Sequence, residues 1–123
     1  MRTRITFALI GLLVILFAVS CVDIFERDIQ YDKVELFAPG DSLITTNKTN
    51  KFWWSTITGA LWYELQVVSP DFSQVSSIAL DTLLEKSNFQ FTLQPGVYHW
   101  RVRAINCSSS TEYTENALVI TNE

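Results

Sequence analysis

The chain has 123 residues, 48% of them hydrophobic and 13% aromatic, and its nine Lys/Arg against thirteen Asp/Glu give a formal charge of −4 at pH 7. Phosphate recognition needs clustered cations and none occur, so nucleic acid is not an expected partner. No His/Cys cluster has metal-ligand spacing, no Gly-rich phosphate loop is present, and no cofactor is expected.

Arg2 and Arg4 open the chain, and Ile5 to Val19 is an uninterrupted run of apolar and small residues. A membrane-crossing helix needs about 20 apolar residues, so this run is short for a span and reads as a signal-peptide core behind a positive start. It ends in Phe17-Ala18-Val19-Ser20-Cys21, which resembles a bacterial lipobox, with Ala18 where Leu is commoner. That resemblance implies cleavage between Ser20 and Cys21, and acylation of Cys21 by thioether-linked diacylglycerol plus an N-acyl chain. Two or more chains anchor a protein stably in its membrane. The residues alone also allow a secreted protein cut near Ser20, or an uncleaved anchor.

Val22 follows the cysteine where an Asp would retain a lipoprotein at the inner membrane, so the resemblance implies the outer membrane. Asp23, Glu26 and Asp28 make the next stretch acidic, as in signals that carry some lipoproteins to the cell surface. The expected organisation is a signal peptide over 1–20, a lipidated tether over 21–32 and one domain over 33–123. Removing Arg2 and Arg4 leaves seven Lys/Arg against thirteen Asp/Glu, a mature charge of −6. With Cys21 acylated, Cys107 is expected to have no partner and to form no internal disulfide.

From Tyr31 onward, period-two alternation recurs between turn signals. Strands are expected at Val34 to Leu36, Lys51 to Ser55, Trp62 to Val68, Ser77 to Leu80 (a short edge), Asn88 to Leu93, Val97 to Ile105 and Asn116 to Thr121. Leu83-Leu84-Glu85 alone hints at a helical turn. On the third strand Tyr63, Leu65 and Val67 oppose Trp62, Glu64, Gln66 and Val68. On the sixth, Tyr98, Trp100, Val102 and Ala104 oppose His99, Arg101, Arg103 and Ile105. The expected fold class is all-β, a seven-stranded antiparallel β-sandwich in which each sheet buries one face.

Three segments carry a closer resemblance: Phe52-x-Trp54; Gly59-Ala60-x-x-Tyr63-x-Leu65-Gln66-Val67; and Leu93-x-Pro95-Gly96-x-Tyr98-x-Trp100-Arg101-Val102-Arg103-Ala104. They resemble strands B, C and F of a fibronectin type III (immunoglobulin-like) domain, over roughly Val34 to Ile120. The resemblance implies a tyrosine corner at Tyr98, whose hydroxyl bonds back to the E–F connection, and a buried strand-B tryptophan at Trp54. The chain also resembles surface lipoproteins of polysaccharide-utilising Gram-negative bacteria.

Catalysis has little support. The one histidine, His99, lies on a strand, and the sequence sets no carboxylate or nucleophile beside it. Asp41, Asp71 and Asp81 adjoin turns or strand ends, where carboxylates satisfy local backbone donors. A binding face has more to work with. Trp62, Glu64, Gln66, Arg101 and Arg103 should share the outer face of neighbouring strands, where an indole beside polar groups suits a sugar ring or peptide edge. The same residues also fit a solvated face stabilised by cross-strand pairs.

Trp53 is a second outward aromatic, either displayed or packed under the N-terminal segment. The polar loop Asn106 to Glu112 lies where related modules often meet partners. Asp41-Ser42-Leu43 and Asp81-Thr82-Leu83 resemble the O-glycosylation motif of exported proteins in those bacteria. The expected function is therefore a non-catalytic envelope lipoprotein presenting a recognition module to a glycan or envelope protein. The alternative is a structural spacer or assembly subunit with no small ligand.

Overall fold

The computed structural model describes residues 26–123; the segments expected as a signal peptide and a lipobox, with Cys21, lie outside the described residues. Eight strands follow in order: β1 Leu36–Ala38, β2 Leu43–Thr45, β3 Thr49–Trp54, β4 Trp62–Pro70, β5 Val75–Leu84, β6 Asn88–Thr92, β7 Gly96–Ile105 and β8 Thr114–Ile120. They form a β-sandwich of a three-stranded sheet, β1-β3-β6, and a five-stranded sheet, β2-β8-β7-β4-β5. No helix occurs among the described residues.

Eight strands replace the expected seven, and the sheets are not wholly antiparallel. The added strand is β2, which runs parallel to β8 with Leu43 opposite Leu118 and Thr45 opposite Ile120. The chain leaves the first sheet after β1 and crosses to the second through a tight turn closed by Leu43 N–H donating to the Gly40 carbonyl at 3.1 Å. The Asp41 carboxylate holds this turn by accepting from Ala117 N–H at 2.9 Å. Ser42 takes φ 62°, a conformation disfavoured by a Cβ and fixed here by a hydrogen bond of its own N–H to the Ala117 carbonyl.

β5 is the other correction: it spans ten residues rather than four and absorbs the expected helical turn. Val67 pairs with Leu80 but Val68 with Ile78, so Ala79 is an extra residue. That bulge breaks the period of two, and the alternation that identifies a strand disappears from the sequence.

Alternation elsewhere builds the core. Phe52 and Trp54 of β3, Tyr63, Leu65 and Val67 of β4, Trp100, Val102 and Ala104 of β7, and Leu118 and Ile120 of β8 are all buried between the sheets. Phe52 meets Trp100 edge-on with ring centroids 5.0 Å apart, a favoured aromatic geometry. Trp54 is buried as expected, and the Tyr98 hydroxyl donates to the Gln94 carbonyl at 2.7 Å, the expected corner contact. Gly96 lies beneath it, where a Cβ would come within 3.3 Å of the Tyr98 ring and hydroxyl and the ring would have to give by a few tenths of an ångström.

The segment expected as a tether is, from Glu26 on, packed onto the sandwich. Ile29 and Val34 are fully buried in the core. The buried Asn106 side chain donates to the Arg27 carbonyl at 2.8 Å, Ile29 N–H donates to Ser109 Oγ at 3.1 Å, and Cys107 N–H donates to Glu26 Oε1 at 2.7 Å. Isolated apolar residues in a polar stretch give no periodic signal, so this docking was not legible beforehand. Cys107 is disulfide-bonded, which corrects the expected unpaired thiol; its partner lies outside the described residues.

Candidate functional site

Antiparallel pairing of β4 with β7 sets Glu64 opposite Arg103 and Gln66 opposite Arg101, so all four side chains project from the outer face of the five-stranded sheet. They form a ladder. Glu64 Oε2 accepts from Arg103 Nε and Nη2, each at 2.8 Å. Its Oε1 accepts from Gln66 Nε2 and from the Tyr113 hydroxyl, both at 2.9 Å. Gln66 Oε1 in turn accepts from Arg101 Nε at 2.8 Å, and its amide reaches Asp81 Oδ1 at 3.3 Å. Four of the five expected site residues are therefore brought together, largely as partners of one another.

Two aromatic residues not anticipated from the sequence complete the arrangement. The Arg101 guanidinium lies between the rings of Phe72, at 4.0 Å, and Tyr113, at 3.9 Å, while Arg103 sits 4.8 Å from Tyr113. Phe72 lies in the β4–β5 turn, where Asp71 Oδ1 accepts from Ser73 N–H at 2.9 Å, Ser73 Oγ at 2.7 Å and Gln74 N–H at 2.8 Å. Those bonds, led by the Ser73 hydroxyl, hold the Asp71 carboxyl below its ordinary value. Burial raises the Tyr113 phenol above its ordinary value, and its hydrogen bond to Glu64 and that residue's charge add to the effect against the opposing arginines. Neither aromatic lies within an alternating run. The only available signal was a large ring set among turn-forming residues.

Beside Arg101 the sheet face dips into a hollow of about 230 Å³. Val68, Phe72, Val75 and Ile78 supply its apolar wall, and Gln66, Asp81 and Arg101 its polar rim. Ile78 is 67% exposed. Trp62, the fifth expected residue, opens β4 opposite Ile105 and is half-buried. It stands four residues from Gln66, about 13 Å along the strand, and is not among the residues lining the hollow.

Of the remaining sequence candidates, His99 shares the outer face with Arg101, two residues along β7, whereas Trp53, Ser42 and Thr82 lie apart. His99 Nδ1 is 2.7 Å from Glu115 Oε2, so cross-strand pairing supplies the carboxylate neighbour that the sequence order did not reveal. Trp53 is 48% exposed on the outer face of the other sheet, its ring centroid 4.9 Å from that of Phe37; it packs on β1 rather than under the N-terminal segment. Ser42 is exposed, whereas Thr82 is half-buried on the inward side of β5. Among the described residues no group of three His, Cys, Asp or Glu could hold a metal ion, and no helix is long and apolar enough to cross a membrane.

No protein-family model matches the chain, and no curated protein matches it. Among solved structures the chain is similar to one described as "Structure of FN3tt mut", at 23% identity and a TM-score of 0.46, over 68% of this chain and 83% of that chain.

Proposed function

We propose that this chain is a non-catalytic lipoprotein of the outer membrane whose fibronectin type III-like, immunoglobulin-like module presents the outer face of the β4–β7 sheet to a glycan or envelope protein. The observation that carries the reading is Arg101, whose guanidinium carbon lies 4.0 Å and 3.9 Å from the ring centroids of Phe72 and Tyr113 at the rim of an apolar hollow. An oriented cation beside apolar surface is a recognition feature, because its ordering cost is met before a partner arrives. The tyrosine-corner bond of Tyr98 to Gln94 and the two-sheet arrangement support the module type. The lipobox-like ending at Cys21 supports the anchor.

The spacer reading is favoured by a different observation: Glu64, Gln66 and Arg103 satisfy one another and leave few polar atoms for a ligand. Two measurements test the proposal. Labelling with a clickable fatty acid, with fractionation of envelopes, should find the chain acylated and membrane-bound, and Cys21→Ala should abolish both. The chain holds two cysteines, so acylation of the Cys21 sulfur and its engagement in an intramolecular bond with Cys107 exclude each other; unacylated chain lacking free thiols would defeat the anchor. A glycan array, with in-cell crosslinking from the hollow, tests recognition, and silence in both would favour the spacer.

A further inference from the structure

The first described residues are fastened to one end of the sandwich. Cys107 N–H donates to Glu26 Oε1 at 2.7 Å, and the Asn106 side-chain amide donates to the Arg27 carbonyl at 2.8 Å and to the Gly59 carbonyl at 3.2 Å. Trp62 pairs with Ile105, so β4 begins and β7 ends there. Tyr31, 90% exposed, and Leu61, 45% exposed, are displayed at the same end. Tyr31 sits in a turn closed by Asp32 N–H donating to the Ile29 carbonyl at 3.0 Å, and Ile29 is itself held by its burial and by Ser109 Oγ. Leu61 N–H donates to the Ile105 carbonyl at 2.9 Å.

We infer that this end of the sandwich, with Tyr31 and Leu61, lies against the headgroups of the membrane that holds Cys21, and that the hollow beside Arg101 is thereby held away from the bilayer. The inference rests on the anchor part of the reading above and gives the recognition face its orientation. Chain length selects the occupant. Cys21 stands five residues before Glu26, and an extended chain spans at most about 3.6 Å per residue, so the acylated residue lies within about 18 Å of this end. So short a connection leaves little room for a folded partner between this end and the lipid. A tyrosine, with an apolar ring and a polar tip, suits the headgroup level. Glu26, Asp28 and Asp32 outnumber Arg27, whose guanidinium is 3.6 Å from Asp32, so the surface suits zwitterionic headgroups and repels anionic ones. β4 then sets the height of the hollow: Val68, in its wall, stands six residues from Trp62, about 20 Å along the strand.

The test uses the full acylated chain in nanodiscs of phosphatidylcholine that contain a trace of gadolinium-chelating lipid. Amide-resolved NMR should show Arg27 to Asp32, Leu61 and Asn106 to Ser110 broadened about fivefold or more beyond Val68 to Ile78, because about 20 Å of strand separates the two groups. Tyr31→Ser should reduce the broadening at Arg27 to Asp32 about twofold and leave the shifts of β4 and β7 unchanged. Replacing about one-third of the lipid with phosphatidylglycerol at low salt should also reduce it. Equal or greater broadening of Val68 to Ile78, a Tyr31→Ser pattern identical to the parent's, or stronger broadening with the anionic lipid would overturn the inference while sparing the anchor. A chain that is not acylated and does not enter the nanodiscs would remove the anchor reading and the inference together.

Discussion

The Tyr113 ring supports Arg101 from one side at 3.9 Å while its hydroxyl donates to Glu64 at 2.9 Å, so one residue outside the paired strands braces both rungs of the ladder. Cation–π contacts at partly exposed sites contribute about 0.5–1 kcal/mol each, and the hydroxyl bond to a charged acceptor about 1.5–3 kcal/mol. Tyr113→Phe should remove the second and keep the first. Tyr113→Ala should remove both, and urea melts of the two variants separate them.

The same phenol makes a pH prediction. Its native pKa is raised above the ordinary 10.0, so the folded state holds the proton more tightly than the unfolded chain. The associated stability is fully present below pH 10.0 and is lost as pH rises through the native value. Ultraviolet titration of tyrosinate should show a high-pH component that disappears in Tyr113→Phe.

Asp71 should act in the opposite direction. Its carboxyl is held below the ordinary 3.8, so its contribution is present above that pH and is lost as pH falls through the lower native value. The stability difference between the parent and Asp71→Ala should therefore shrink below pH 3.8. Loss of the turn should also release Phe72 from Arg101, visible as altered Phe72 ring shifts by NMR.

Ile29 is fully buried although it precedes the first strand. Ile29→Ala should destabilise the fold by about 2–5 kcal/mol, the range for truncating a large buried aliphatic side chain. A denaturant midpoint equal to the parent's would mean that the segment is a loose tether after all.

Trp54→Ala should cost about 3–5 kcal/mol through cavity formation, and Tyr98→Phe about 1–3 kcal/mol because the Gln94 carbonyl loses its donor. Trp62→Ala, at a half-buried site outside the hollow, should change binding of a glycan or envelope protein little. A tenfold loss there would return the binding face to the start of β4.

What the sequence determined by itself was the inward-facing set. Tyr63, Leu65, Val67, Trp100, Val102 and Ala104 alternate without interruption, and a period of two has one way to bury them. The tyrosine corner and Trp54 were legible for a different reason, as what the resemblance of their segments to a fibronectin type III pattern implied, and both lie inside or beside regular strands. Tertiary structure alone decided three other matters. The bulge at Ala79 concealed a ten-residue edge, β2 joined β8 by a parallel pairing across the sandwich, and Phe72 and Tyr113 reached Arg101 from turns distant in sequence. Periodicity reports which side of a strand a residue occupies; which strands lie side by side, and which loop residues fold over them, follows only from closing the chain on itself.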